Sequence, residues 1–272
     1  QIQIHAQDFA AMSPQAAPAG DISLNGNLRY QAAGSQPLLK SIFVTGQLTS
    51  DALSAAASGN RVELRKLQGR YQLAGGNLEI RDLSVDALGG RMIANGDIKH
   101  LDATPESQLQ AALHNISLRE LQRALHTQGV NGATLAGTLG GKAEASWKGS
   151  VANLRAHSDL TIQAVASNKA NPTESRVPVN GAVHVSYDGA RQIISVRDTT
   201  VRIPSATLTA HGTISNNSSL QVQIAANDLH QLAALASSFQ SSQSQVPAVS
   251  GSATLNAVMT GSMKKPSVVA QL

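Results

Sequence analysis

Leu220-Gln221-Val222-Gln223-Ile224-Ala225-Ala226-Asn227-Asp228-Leu229-His230-Gln231-Leu232 carries two periods in one stretch. From Leu220 to Ala226, apolar Leu220, Val222, Ile224 and Ala226 alternate with polar or small residues, the period-two pattern of a strand with one apolar face. At Asn227-Asp228 the period changes. Asp228 with Gln231 three positions on reads as a helix start, and Leu229, Leu232, Ala233 and Ala236 then share one helical stripe. The same opening recurs upstream. Ser117 and Glu120 form a capping box ahead of Leu118, Leu121 and Leu125, and Asp8 with Phe9 and Met12 is a shortened version. Asp8, Ser117 and Asp228 lie 109 and 111 residues apart (117 − 8 and 228 − 117), and each is followed by a glycine, Gly20, Gly137 or Gly251, that opens another alternating strand. A fixed long period points to an array of like units whose apolar faces are buried with the help of neighbours. It predicts a first repeat over 1–116, a second over 117–227 opening on a short helix, and the start of a third over 228–272. The Ser/Gln-rich stretch Ser237 to Gln245 reads as a loop.

Working outward, alternation recurs at Asp21 to Tyr30, Ser41 to Leu48, Arg91 to Ile98, Asn153 to Ala164 and Ala206 to Ile214. Gly26, Gly46, Gly96 and Gly212 each fall in the apolar register. Glycine inside a strand marks a bend, a bulge or a close approach. A row of them predicts a sheet folded sharply along a line into a trough.

Composition narrows the function classes. Hydrophobic residues make up 42% of 272, aromatics 3% and charged residues 14%, so the apolar face is built from small aliphatic side chains. The net charge is +4 and its cations are scattered. Nucleic-acid binding wants clustered cations, and single-strand binding adds stacking aromatics; neither pattern occurs. With no cysteine, thiolate metal sites, disulfides and thiol nucleophiles are excluded. No apolar run is long enough to span a membrane. The chain opens at Gln1 inside an alternating strand, so a segment of a longer protein is expected, with any anchor elsewhere.

Catalytic patterns are missing as well. His5, His100, His114, His126, His157, His184, His211 and His230 contain no metal-ligand spacing such as H-E-x-x-H, and most fall on polar strand registers. No G-x-S-x-G elbow occurs. Gly141-Lys142 resembles a phosphate loop but lacks its first glycine and its Ser/Thr, which are Ala136 and Ala143. Glu79, Asp82 and Asp86 lie on a solvated strand and turn. The expectation is a protein without catalytic residues, metal or cofactor.

Three features together resemble the AsmA/TamB-like superfamily of bacterial envelope proteins. One is the strand that ends in a polar-Asp-Leu helix start, Leu220 to Leu232. Another is Gly75-Gly76-Asn77-Leu78-Glu79-Ile80-Arg81-Asp82-Leu83-Ser84-Val85 followed by Gly89-Gly90-Arg91-Met92-Ile93-Ala94-Asn95-Gly96. The last is Thr260-Gly261-Ser262-Met263-Lys264-Lys265-Pro266-Ser267-Val268-Val269. The resemblance covers nearly the whole chain. It implies bridge-like phospholipid transport across the periplasm, with acyl chains in the groove of a curled sheet (a β-taco), in support of outer-membrane assembly and homeostasis. TamB-like members work with an outer-membrane barrel protein and are anchored in the inner membrane; for this chain both partners would engage regions outside it.

The expected fold is therefore mainly β: one long, curved, mostly antiparallel open sheet of about 16 strands, with two short helices. The groove would be lined by Ile22, Leu24, Leu28, Ile42, Val44, Leu48, Leu78, Ile80, Met92, Ile98, Leu109, Leu113, Leu160, Ile162, Val183, Val185, Leu208, Ile214, Val222 and Ile224. An exposed acyl chain costs about 0.8 kcal/mol per methylene, and such a lining removes most of that cost. The competing expectation is a passive spacer or adhesin whose closed core uses up the same side chains internally.

Overall fold

A computed structural model describes residues 2–9, 18–31, 37–57, 60–125, 133–168, 176–238, 249–262 and 265–272. The strands are β1 (Ile2–His5), β2 (Ala19–Tyr30), β3 (Ile42–Ala57), β4 (Asn60–Ala74), β5 (Asn77–Ala87), β6 (Gly90–Lys99), β7 (Glu106–Ser117), β8 (Ala133–Lys148), β9 (Arg155–Asn168), β10 (Arg176–Asp188), β11 (Ile193–Ile203), β12 (Ala206–Ile214), β13 (Ser218–Ala226), β14 (Ala253–Ser262) and β15 (Lys265–Gln271). They form one open antiparallel sheet whose spatial order is the chain order, with β1 and β15 as its edges. This is the mainly β, open, antiparallel class that the alternation predicts, with 15 strands among the described residues. The chain divides into two compact units: Gln1–Ile116 with Arg123–His126 and Lys142–Ala156, and Ser117–Gln122 with Thr127–Gly141 and His157–Leu272.

Tight hairpins explain the sequential order. Gly75-Gly76 joins β4 to β5, and Leu88-Gly89 joins β5 to β6; all four residues have positive φ, between 51° and 78°. Two-residue turns with that geometry match the twist of the flanking strands.

Helical segments sit after β1, β7 and β13, six strands apart: a 3-10 turn at Ala6–Phe9, then α2 (Leu118–Leu125) and α3 (Leu229–Ser238). Their starts are capped as the spacing predicts. Glu120 N–H donates to Ser117 Oγ at 3.4 Å, and Gln231 N–H donates to Asp228 Oδ1 at 2.9 Å. One helix was not anticipated. The short α1 (Leu38–Ser41) precedes β3, and Lys40 Nζ lies 2.9 Å from Asp102 Oδ2. Ser41 thus belongs to a helix, and Asn153 to a 3-10 turn at Val151–Asn153, so β3 and β9 start later than their alternation suggested. Ser237 and Ser238 extend α3; residues 239–245 of the expected loop lie outside the described residues, as do Met12 and His126.

The alternation is broken in β4, β5, β7 and β11, and also in β3, where Asp51 and Ala52 are both exposed and the register with β2 shifts. Lys66 in β4, Asp82 in β5, Asn115 in β7 and Asp198 in β11 have φ of 52°, 51°, 54° and 43°. Each follows another exposed residue (Arg65, Arg81, His114 and Arg197), so two successive side chains point to solvent. In β4, β5 and β11 the cross-strand register shifts there, a β-bulge in which an extra residue re-aims the strand. In β4 the half-buried residues are Val62 and Leu64 before the bulge and Leu67, Gly69, Tyr71 and Leu73 after it. In β11 Ile194 and Val196 before, and Val201 and Ile203 after, lie on that face, though Ile193, Ser195 and Thr200 are half-buried too. The bulge keeps the apolar set on one face after a parity change in the sequence.

Candidate functional site

Cross-strand register assembles an apolar face in each unit. In the first, Leu28, Val44, Leu73, Leu78 and Ile98 stand opposite one another from β2 to β6. The next row runs Gly26, Gly46, Tyr71, Ile80, Gly96 and Leu109. Leu24 pairs with Leu48, Ile42 with Tyr30, Ile22 with Ile4, and Met92 with Leu113. In the second unit one row runs Gly181, Val201, Leu208, Ile224 and Leu255, and Ile162 Cβ lies beside Gly181. Another runs Val185, Val196, Gly212, Leu220 and Met259. Val222 faces Ala210, and Ile214 faces Ile194. Leu160 and Val183 continue the half-buried registers of β9 and β10.

Burial of this face is incomplete. None of the twenty candidate residues is buried: eighteen are half-buried, Leu28 is 65% exposed and Leu109 is 37% exposed. Among the described residues no side chain is fully buried, and the strands form no second sheet to cover the face. The buried apolar residues are few: Ala6, Ala87, Ala124, Ala164, Ala206 and Ala226 are small, and Val85, Ile116, Leu118 and Leu139 are larger.

The face is wider than the sequence showed. Leu67, Tyr71 and Leu73 of β4, Leu83 and Val85 of β5, Val196 and Val201 of β11, and Leu255 and Met259 of β14 belong to it. In β4, β5 and β11 the bulges interrupt the alternation. The signal was present in the consecutive polar pairs Arg65-Lys66, Arg81-Asp82 and Arg197-Asp198, each inside an apolar alternation.

Two glycines show why the row cannot carry side chains throughout. A Cβ on Gly46 would fall inside the shell of the Asn25 carbonyl oxygen and 2.8 Å from Tyr71 Oη. Tyr71 therefore lies across the facing pair Gly26 and Gly46. Gly212, at φ +131°, would drive a Cβ against the Ser219 carbonyl. Several polar groups within the sheet are hydrogen-bonded, whereas Asp97 Oδ2 and His157 Nδ1 are buried without a hydrogen-bond partner among the described residues. Ser50 Oγ donates to the Asp21 carbonyl at 2.5 Å, and Thr199 Oγ1 accepts from His184 N–H at 3.2 Å beside the Asp198 bulge.

The opposite face is charged, and on β4, β5 and β6 its charges pair with one another. Arg70 pairs with Asp82 and Arg81 with Glu79, and Asp82 N–H donates to Asn95 Oδ1 at 2.8 Å. Together with Gly46 and Tyr71 of the apolar row, these groups line a depression of about 530 Å³ that offers an anion no unpaired arginine. Arg91, hydrogen-bonded to Asp86, holds that carboxyl below its ordinary range. Cross-strand pairing also joins histidines that sequence spacing left apart. Asp159 Oδ1 lies 2.6 Å from His184 Nδ1 and its Oδ2 3.2 Å from His157 Nε2, and the His184 hydrogen bond, as the first cause, lowers the Asp159 pKa. No group of three or more His, Asp or Glu among the described residues is arranged to hold a metal, and no described helix is long and apolar enough to cross a membrane.

The fold and face define a class: an open, single-sheet β protein with helical segments recurring every six strands and an apolar face in each unit. No protein-family model, no curated protein and no solved structure matches the chain.

Proposed function

We propose that the half-buried face of each unit holds the acyl chains of phospholipid, and that the chain serves bridge-like lipid transport across the bacterial periplasm in support of outer-membrane assembly and homeostasis. The carrying observation is that twenty aliphatic side chains share this face and none is buried by the protein itself. Fully burying one such side chain is worth about 1.5–3 kcal/mol, so a folded chain that leaves them half-exposed retains a large unspent driving force for an apolar guest. A closed-core spacer would fill the same positions with its own side chains. A catalyst would need convergent reactive groups, whereas the charged groups on β4, β5 and β6 pair with one another. The AsmA/TamB-like resemblance supports the periplasmic setting, with an inner-membrane anchor and an outer-membrane barrel as partners of regions outside this chain.

Transfer of fluorescent phospholipid between donor and acceptor vesicles tests this reading. The protein should accelerate transfer, and Val222→Asp should abolish the acceleration while circular dichroism stays unchanged. Equal acceleration by the variant would remove this face from the function.

A further inference from the structure

The apolar face differs at its two strand ends. At one end, in both units, stand α2, α3 and the 3-10 turn, reached by the C-terminal ends of β1, β7 and β13. The buried apolar residues lie at this end or in the strand halves leading to it: Val85, Ala87 and Ile116 in the first unit, Leu139, Ala164 and Ala226 in the second. The other end carries the amphipathic aromatics. Tyr30 is the last residue of β2, Trp147 is next to last in β8, Tyr187 is next to last in β10, and Tyr71 is three residues from the end of β4. Within each unit, antiparallel order brings the C-terminal ends of the even-numbered strands to one side. Tyr71 and Trp147 are half-buried and Tyr30 and Tyr187 exposed, and all four keep the apolar register: Tyr30 pairs with Ile42, Tyr71 with Ile80 and Tyr187 with Ile194, and Trp147 continues the alternation of Ala143 and Ala145. They are the three tyrosines and the single tryptophan of the chain. This end is also the wetter one, with Leu28 65%, Tyr30 61% and Tyr187 36% exposed.

Tyrosine and tryptophan put an apolar ring and a polar tip on one side chain, which suits a boundary between hydrocarbon and water. Their confinement to one end of an otherwise aliphatic face marks where that boundary lies. Tyr71 Oη is set over Gly26 and Gly46 and can donate to an ester carbonyl. Resting on the phospholipid reading above, we propose that this aromatic end is the lip at which the glycerol ester and headgroup emerge, and that the acyl chains point toward the α2 and α3 end.

The lone Trp147 is the reporter. Phosphatidylcholine carrying a nitroxide either near the ester end or near the methyl end of one acyl chain is loaded onto the full chain, and vesicles are removed. The ester-end label should quench Trp147 emission about twofold more strongly than the methyl-end label. Trp147→Phe combined with Tyr187→Trp should give the same ordering in the second unit. Equal quenching, or stronger quenching by the methyl-end label, overturns the orientation while leaving lipid carriage standing. No bound lipid and no quenching by either label overturns both.

Discussion

At the scale of single residues, backbone sterics set the limits. Gly46→Ala forces a Cβ against the Asn25 carbonyl and Tyr71 Oη, in a sheet where the neighbouring backbone cannot yield. Overpacking of this kind costs about 1–3 kcal/mol. Gly75 is the contrast: its φ is +58° but nothing lies within 4 Å of where an added methyl would sit, so Gly75→Ala meets only the left-handed backbone penalty of about 1 kcal/mol. Urea denaturation should rank the two in that order. The bulge residues obey the same rule. Asp82 holds φ 51° with its N–H bound to Asn95, so Asp82→Gly should be tolerated, whereas Asp82→Val should lose about 1–2 kcal/mol because a β-branched residue resists that conformation.

At the scale of elements, legibility in the sequence divides cleanly. β2, β6, β12 and β13 alternate without interruption, and their apolar residues could be assigned to one face by counting in twos. β3, β4, β5, β7 and β11 change parity along their length, and counting in twos through Arg65-Lys66 or Arg197-Asp198 lands on the wrong face. The helix starts were readable because a cap is a local contact between Ser117 and Glu120, or between Asp228 and Gln231. The Asp159 contacts with His157 and His184 were not, because strand register decides them. Asp228→Ala should cost about 1 kcal/mol of α3 stability by hydrogen exchange. The β1–β2 edge should respond to pH. His5 Nδ1 lies 2.6 Å from Asp21 Oδ1, and that hydrogen bond, then the charge of Asp21, raises the imidazole above its ordinary 6.5. The folded pair favours the protonated form, so its contribution is complete below pH 6.5 and is lost as pH rises through the folded-state value. Amide exchange at Ile4 and Ile22 should speed up on that rise, and His5→Gln should remove the pH dependence.

At the scale of the whole molecule, the sequence already held the open antiparallel class and the recurring helices, because period-two patterning and fixed spacing are global properties of the chain. The placement of aromatics at one strand end needed the register of every strand, and no short-range pattern announces it. The functional account rests on apolar surface that folding leaves half-covered. A carboxylate at Val44 or Leu160 sets an unpaired charge beside hydrocarbon, a cost of several kcal/mol, so each variant should bind phospholipid at least about tenfold more weakly. Both positions are half-buried on a face without a covering layer, so thermal midpoints should move little. The most direct measurement is organic extraction of the purified protein followed by mass spectrometry of the extract. The account predicts phospholipid at or above one molecule per chain; protein that folds and purifies free of lipid, and stays free after incubation with phospholipid vesicles, would contradict it.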